Sequence, residues 1–252
     1  MRTVMEDVTV ADKSQARHEV WEALREVARP DSRFHFDFAE FIPDFEGSER
    51  ALANLVALPL FTDSQLIFIT PDNCLEELRA QALRDGKTIL VPTYGIRRGF
   101  VKLSPDDVPR GHEVYASWLD GMEHFGQRVS LYEIKQLGPL DFLVTGGSVI
   151  NQRGVRFGKG HGYFDLEWAM MYTVGVATVA TPVIAFVHDC QVAGIELEPS
   201  PFDTVCDIIV TPSRVIQVEE ASKPTVGIVW EKLAPGMLED IPPLQELKQL
   251  SP

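Results

Sequence analysis

The sequence predicts an α/β fold with a largely parallel sheet, and two observations support this prediction. Short β-rich runs alternate along the chain with segments that have the apolar spacing of helices. Several of these runs are apolar at nearly every position, as in residues 88–91 and 183–187. Strands of this kind are buried on both faces, which happens when helices cover each side of a parallel sheet.

Four segments are predicted to be helices. Residues 13–27 and 48–58 carry apolar residues at helical spacing, and the second segment begins with a serine, which favours a helix start. Residues 72–83 follow Pro71 and end before an Asp-Gly pair, which is typical of a helix end. Residues 163–172 follow a glycine-rich stretch and are predicted to form the fourth helix.

The β-rich runs predict strands at residues 65–69, 88–91, 141–144, 176–180, 183–187, 206–210 and 225–229. Residues 146–162 contain six glycines and predict a loop. The length of 252 residues favours a single domain spanning residues 1–252, with residues 1–11 and about 234–252 as terminal extensions.

Composition and charge exclude several classes of protein. The net charge of −14 argues against broad binding to nucleic acid or to an anionic membrane surface. No stretch of about eighteen apolar residues predicts a membrane-spanning helix, and the acidic N-terminus does not resemble a signal peptide. The three cysteines are scattered and lack zinc-site spacing, so we expect a cytoplasmic protein.

Basic residues nevertheless gather at one place. Arg153, Arg156, Lys159 and His161 fall within nine residues, and no acidic residue lies between them. Glycines alternate with them at positions 158, 160 and 162, and a glycine lets backbone N–H groups approach an anion closely.

This stretch predicts a site for a polyphosphate, with the N-terminus of the next helix facing the same anion. Asp165 follows and can hold a magnesium ion that bridges the phosphates. The stretch is neither a Walker loop nor a Rossmann fingerprint. A flexible surface loop with solvated charges is the alternative interpretation.

The order of these residues resembles the 5-formyltetrahydrofolate cyclo-ligase family, whose loop has the form Gly-x-Arg-Leu-Gly-x-Gly-x-Gly-Tyr-Tyr-Asp. Here residues 154–165 read Gly-Val-Arg-Phe-Gly-Lys-Gly-His-Gly-Tyr-Phe-Asp in the same register. Lys13 and Arg17 resemble the family's Lys-x-x-x-Arg pair, and Asp203 lies in a stretch similar to its late Pro…Asp motif. The likeness covers about residues 13–211.

The resemblance implies a three-layer α/β/α sandwich like that of the ribose-phosphate isomerase and CoA-transferase group. It also implies an enzyme that uses ATP and Mg²⁺ to convert 5-formyltetrahydrofolate to 5,10-methenyltetrahydrofolate. The implied site residues are Lys13, Arg17, Arg156, Gly158, Lys159, Gly160, His161, Gly162 and Tyr163 for ATP, with Arg156 and Lys159 also catalytic, Tyr94 and Phe164 for the substrate, and Asp165 and Asp203 for the metal.

Each assignment has a structural alternative. Lys13 and Arg17 are also what a solvated helix face would carry. Asp165 would equally stabilise the start of the next helix, and Asp203 would equally hold a turn. Aromatic residues such as Tyr94 are as common in cores as in ring-binding sites.

The sequence departs from the family pattern at three positions. Phe164 replaces the second tyrosine of the motif, and Cys74 stands near the place of a glutamate that meets the pterin. Residues 145–147 read Thr-Gly-Gly where the family has Pro-Gly after the strand. These changes predict a divergent paralogue whose nucleotide site is kept better than its folate site, with a thiamine-related substrate as one alternative.

Two further functions stay open from the sequence. A nucleotide- or phosphate-binding regulatory protein would keep the glycine loop and lack turnover. A sugar-phosphate isomerase or an acyl-CoA enzyme follows from analogy of fold alone, and the sequence offers no motif for the isomerase.

Overall fold

The computed structural model describes residues 13–250 of the chain, so the predicted extension at residues 1–11 lies outside the described residues. The helices are α1 (Lys13–Arg25), α2 (Ser48–Val56), α3 (Pro59–Thr62), α4 (Glu76–Arg84), α5 (Glu113–Ser117), α6 (Leu119–Phe125), α7 (Leu131–Leu137), α8 (Tyr163–Val174), α9 (Met237–Asp240) and α10 (Pro242–Leu250). The strands are β1 (Leu66–Ile69), β2 (Thr88–Pro92), β3 (Phe100–Leu103), β4 (Gln127–Val129), β5 (Phe142–Thr145), β6 (Val149–Asn151), β7 (Arg156–Phe157), β8 (Val183–Phe186), β9 (Val192–Ala193), β10 (Ile208–Val210) and β11 (Val215–Gln217).

Eight of the strands in residues 13–250 form one sheet, in the order β11-β10-β8-β5-β1-β2-β3-β4. The five strands from β10 to β2 run parallel to one another. Antiparallel strands complete the sheet, with β3 and β4 at one edge and β11 at the other. The predicted α/β fold with a largely parallel sheet is confirmed.

Helices cover both faces of this sheet. Successive side chains of a strand point to opposite faces, so the fully apolar strand β1 contributes to two cores. Ile67 and Ile69 pack on one face with residues of α2 and α4. Phe68 packs on the other face with residues of α7 and α8, including Trp168, whose side chain is completely buried. The result is the three-layer sandwich that the resemblance implies.

The prediction of a continuous loop over residues 146–162 is wrong for its first part. Strands β6 and β7 pair antiparallel there, and β6 also pairs with β9 in a separate small sheet. Val149 and Phe157 of this hairpin are buried against Ala16 and Val20 of α1. Burial of apolar side chains therefore orders the hairpin despite its glycines, and the open loop is confined to residues 158–162.

The predictions of strands at residues 176–180 and 225–229 are also wrong. Residues 176–180 follow α8 directly, where Gly175 has a φ of 83° and the amides of Val176 and Ala177 donate to the Met171 carbonyl at 3.1 Å. Residues 225–229 form no strand and instead run along α8, where the Trp168 indole donates to the Pro224 carbonyl at 3.1 Å. The apolar residues of both segments are explained by packing against a helix.

The C-terminal segment packs onto the body of the protein. Ile241, Leu244 and Leu247 are buried in the same core as α7 and α8. Glu246 accepts hydrogen bonds from the first two amides of α7, at 3.0 and 3.1 Å. Among the described residues, every helix is too short or too polar to cross a membrane.

Candidate functional site

A cavity of about 370 Å³ opens where the central parallel strands end. Asp72 follows β1, Tyr94 follows β2 and Gly146 follows β5, and all three residues line the cavity. Ligands of open α/β sheets bind in this position, outside the carboxyl ends of the strands. Further lining residues come from α1, α8, residues 224–237 and the glycine loop, which we define as residues 154–162 with its open part at 158–162. Arg33, Phe41, Ile42, Leu119, Phe202 and Asp203 also line the cavity.

The glycine loop is anchored at its base and open at its tip. Gly154 has a φ of 78°, and a Cβ atom there would lie 2.2 Å from the Cys206 carbonyl oxygen, so only glycine fits. Gly160 and Gly162 have φ values of 115° and 72°, whereas Gly158 does not adopt positive φ. A Cβ atom on Gly162 would have no atom within 4 Å, which leaves space for a ligand.

Helix α1 brings the predicted N-terminal Lys/Arg pair to this loop. The Arg17 guanidinium lies against Gly160, 3.4 Å from where a Cβ atom would stand. The Lys13 ammonium lies 4.8 Å from the centre of the Phe157 ring, donates to the Ser200 hydroxyl at 3.0 Å, and forms an ion pair with Asp203. The structure therefore places residues that are about 140 positions apart around one cavity.

Of the two predicted catalytic cations, Arg156 is buried and Lys159 is half-buried. Arg156 is 6% exposed, its guanidinium donates to the Gly146 carbonyl at 3.3 Å, and it lies 4.9 Å from the centre of the Phe164 ring. Lys159 donates to the Glu40 carbonyl at 2.9 Å and lies 4.8 Å from the centre of the Tyr94 ring. Burial lowers the pKa of Lys159 below its usual value, because a desolvated ammonium is disfavoured.

Aromatic groups line the cavity beside Lys159. The Tyr94 hydroxyl donates to the Glu40 carbonyl at 2.9 Å, and burial together with the Glu40 carboxylate raises the pKa of Tyr94 to about 12. The His161 ring stacks on Tyr163 with a centroid distance of 5.4 Å. Burial and the nearby Lys159 charge lower the pKa of His161. Phe164 also lines the cavity but is mostly buried in the core.

The two predicted metal ligands lie close to the basic residues. Asp165 is in the first turn of α8, where its carboxylate accepts from the Thr204 amide at 2.8 Å. Burial raises the pKa of Asp165, and the Arg156 charge opposes this increase. Asp203 accepts from the Ser200 amide at 2.7 Å and from Lys13. No group of three or more acidic, histidine or cysteine side chains suited to a metal occurs in residues 13–250.

The acidic floor of the cavity, which we define as Asp72 and Glu167, was not among the predicted site residues. Asp72 accepts from the Thr70 hydroxyl at 2.6 Å and from the Gly146 amide at 2.9 Å. Glu167 lies on α8, is 3% exposed and lines the cavity. The signal that could have found Glu167 is a single acid inside an otherwise apolar run of residues 166–171.

Sequence reasoning also missed the wall formed by residues 224–237, which we call the C-terminal wall. Pro224, Val226, Ile228, Leu233 and Met237 of this segment line the cavity. The segment runs across the cavity from α8, where Gly227 lies so close to Thr173 that a Cβ atom would be 2.6 Å from its hydroxyl. Apart from Lys232, the wall residues that line the cavity are uncharged and mostly apolar, in contrast to the basic glycine loop.

Comparison with known proteins identifies the family. A sequence model of the 5-formyltetrahydrofolate cyclo-ligase family matches residues 9–212. The C-terminal wall therefore lies outside the part of the chain that the family model matches.

Two relatives are called methenyltetrahydrofolate synthase domain-containing protein. The human protein is 36% identical over 214 residues, which cover 82% of this chain and 54% of the human protein. The Danio rerio protein is 34% identical over 244 residues, which cover 94% of this chain and 62% of that protein. The chain thus spans less than two thirds of the length of these relatives.

Among solved structures, the 5,10-methenyltetrahydrofolate synthetase of Aquifex aeolicus has a similar fold, with a TM-score of 0.54 at 20% sequence identity. The likeness covers 84% of this chain and 95% of that protein. The motif of residues 154–165, the sandwich fold and the match over most of the chain agree. The chain belongs to the 5-formyltetrahydrofolate cyclo-ligase family.

Proposed function

We propose that the chain is an ATP- and Mg²⁺-dependent 5-formyltetrahydrofolate cyclo-ligase that forms 5,10-methenyltetrahydrofolate, ADP and phosphate. The observation that supports this proposal is the convergence on one cavity of the four lysine and arginine side chains that the family motifs predict. Lys13 and Arg17 come from α1, Arg156 from β7 and Lys159 from the glycine loop. A chain with a net charge of −14 gathers these cations at one place, as binding of a polyphosphate requires.

The nucleotide phosphates would lie between α1 and the glycine loop. The backbone is open at Gly162, and the Arg17 guanidinium lies beside Gly160. Lys13 and Lys159 now bind Asp203 and the Glu40 carbonyl, so phosphate oxygens would replace or share these partners. Charge-assisted hydrogen bonds of this kind are the strong ones in proteins.

The acidic residues beside the loop fit a magnesium ion that is held mainly by phosphates. Mg²⁺ usually takes one or two protein carboxylates and completes its shell with phosphate oxygens and water. Asp165 and Asp203 both line the cavity, and the charge of Asp203 contributes to the raised pKa of Asp165. When bound, the ion would neutralise charge on the transferring phosphoryl group.

The proposed reaction needs positioning and cations more than a protein nucleophile. The formyl oxygen of the substrate attacks the γ-phosphorus of ATP, and ADP leaves. The N10 nitrogen then attacks the formyl carbon and loses its proton, and the oxygen departs as phosphate. Arg156 and Lys159 would stabilise the charge on the phosphoryl oxygens, while Tyr94 and Phe164 would hold the ring system.

A second candidate is a protein that keeps the nucleotide site but has either a different substrate or no turnover. The observation that favours it is the C-terminal wall, because residues 224–237 line the cavity but lie outside the family match. A thiamine-related compound is one possible substrate of this candidate, and binding of nucleotide without turnover is its non-catalytic form.

The three cysteines of the described chain are free thiols, which suits a reducing cytoplasm.

The test is formation of methenyltetrahydrofolate, followed by its absorbance, with the purified chain, 5-formyltetrahydrofolate, ATP and MgCl₂. We expect turnover that depends on both ATP and Mg²⁺. Lys159→Ala should weaken ATP binding about 10- to 150-fold, the loss expected for a hydrogen bond to a charged group. The matched control is Lys135→Ala, since Lys135 is an exposed lysine of α7.

The outcomes separate the candidates. ATP binding without turnover of 5-formyltetrahydrofolate would favour the second candidate. An ATP affinity that is unchanged in Lys159→Ala, or the same loss in Lys135→Ala, would contradict the nucleotide site itself.

A further inference from the structure

Arg33 is a cation of the cavity to which the proposed reaction assigns no role. It belongs to the segment between α1 and α2, lines the cavity and has a side chain that is 43% exposed. Its guanidinium lies 5.7 Å from the centre of the Tyr94 ring, and the Lys159 ammonium lies 4.8 Å from the same centre. Two cations therefore approach Tyr94, and only Lys159 belongs to the glycine loop.

The Arg33 guanidinium is held in place by a buried acid. Its Nε and Nη2 atoms donate to the two carboxylate oxygens of Asp31 at 3.2 and 3.0 Å. Asp31 also accepts from the Asn73 side chain at 2.8 Å. Burial alone would raise the pKa of Asp31, but the hydrogen bonds from Arg33 and Asn73 outweigh this effect and lower the pKa to about 2. Asp31 is therefore ionised at neutral pH and fixes the orientation of Arg33.

The remaining donors of Arg33 are available to a ligand. Asp31 takes two of the five N–H groups of the guanidinium, and the Nη1 atom has no hydrogen-bond partner within the described part of the chain. The guanidinium also lies 5.0 Å from the centre of the Phe34 ring, which further restricts its motion. A planar guanidinium that is already oriented loses little freedom on binding, and its geometry matches a carboxylate or a phosphate.

The position of Arg33 relative to Tyr94 separates these two kinds of anion. The nucleotide phosphates belong with Lys159 and the glycine loop, so the anion that Arg33 meets belongs to the other substrate. We propose that Arg33 binds a carboxylate of the substrate's glutamate tail and so selects substrates that carry an anionic group beyond the ring system. This inference rests on the proposed function, because 5-formyltetrahydrofolate ends in a glutamate with two carboxylates. Arg33 would then be a specificity residue, in contact with the tail and remote from the formyl group.

The experiment measures, by calorimetry, the affinities of the wild type and of Arg33→Met for 5-formyltetrahydrofolate and for 5-formyltetrahydropteroate, which lacks the glutamate. The wild type should bind the glutamate-containing compound about 5- to 20-fold more tightly, between the effect of an exposed ion pair and that of a buried charged hydrogen bond. Arg33→Met should lose this preference, because only its affinity for 5-formyltetrahydrofolate falls. Its affinities for the pteroate compound and for ATP should stay within about twofold of the wild type.

A neighbouring arginine provides the matched control. Arg29 is also a partly exposed arginine paired with an aspartate, since it lies 2.5 Å from Asp44, but it does not line the cavity. Arg29→Met should therefore keep the preference for the glutamate-containing compound. The pteroate compound is a second control, because a distorted cavity would weaken the binding of both compounds and a lost tail contact weakens only one.

Several results would overturn the inference and leave the proposed function intact. The first is equal affinity of the wild type for the two compounds, which needs no variant. The others are a preference that persists in Arg33→Met, an equal loss for both compounds, and the same loss in Arg29→Met. A lower ATP affinity in Arg33→Met would place Arg33 with the phosphates instead. A wild type that binds ATP but neither compound would contradict the proposed function, and the inference with it.

Discussion

The glycine loop and the acidic floor face each other across one cavity but are built in opposite ways. The loop takes its polar groups from consecutive residues, 158–162, and exposes them at an open tip. The floor takes Asp72 from the segment after β1 and Glu167 from α8, where Glu167 is buried and Asp72 is half-buried. From this difference we expect that substitutions at the open tip of the loop mainly change ligand affinity, whereas substitutions at the floor also change the free energy of unfolding.

Arg79 provides the largest test of this comparison, because it supports the floor from behind. Its guanidinium is completely buried and donates to the carbonyl oxygens of Thr70, Asp72 and Ser117 at 2.8, 3.1 and 2.8 Å. Arg79→Met should lower the free energy of unfolding by about 3 to 5 kcal/mol, since it leaves buried carbonyl groups unpaired. Urea denaturation measures this change.

The same helix offers a matched control. Arg84 is exposed and lies 3.6 Å from Glu77 in a surface ion pair, so Arg84→Met should change the free energy of unfolding by less than about 0.5 kcal/mol. A loss below about 1 kcal/mol in Arg79→Met would contradict the distinction between floor and loop.

The glycine loop itself can be divided into an anchored end and an open end. Gly154→Ala should destabilise the protein by about 2 to 4 kcal/mol, because positive φ is unfavourable for alanine and its Cβ atom would clash with the Cys206 carbonyl oxygen. Gly162→Ala should destabilise it by only about 1 to 2 kcal/mol, because positive φ is unfavourable there but the Cβ atom clashes with nothing. Thermal or urea unfolding of the two variants measures the difference.

The affinity for ATP should rank the two variants in the opposite order. Gly162→Ala narrows the open tip and should weaken ATP binding, whereas folded Gly154→Ala should bind ATP as the wild type does. Equal stability of the two variants would show that the steric contact at Gly154 is absent.

The loop could be predicted from the sequence because its chemistry is contiguous. Residues 154–165 carry glycines and cations in one run, and Lys13 and Arg17 lie one helical turn apart. The hairpin within residues 146–157 could not be predicted, because its order comes from contact with α1. Local glycine content predicts a loop, and tertiary packing overrides that preference.

The floor could not be predicted, because its residues meet only in three dimensions. Glu167 is read from sequence as an ordinary helical acid, and Asp72 as the start of a helix. The C-terminal wall was predicted to contain a strand at residues 225–229, since an apolar β-rich run looks the same whether it pairs with a sheet or packs on a helix. Its contact with α8 and the cavity depends on the complete fold.

His161 gives the smallest test, at the open end of the loop. Burial and the Lys159 charge lower its pKa, so His161 is neutral at pH 8 and gains a proton only below its usual range near pH 6.5. Protonation adds a positive charge that favours phosphate. Lowering the pH from 8 to 5.5 should therefore raise the ATP affinity of the wild type relative to His161→Asn by about two- to fivefold.

The ratio of the two affinities is the informative quantity, because ATP also takes up protons in this pH range and does so equally for both proteins. A ratio independent of pH would place His161 away from the phosphates and confine the binding surface of the loop to Arg17, Lys159 and the backbone of Gly160 and Gly162. The loop would then resemble the floor in one respect, since part of its charge would serve the fold rather than the ligand.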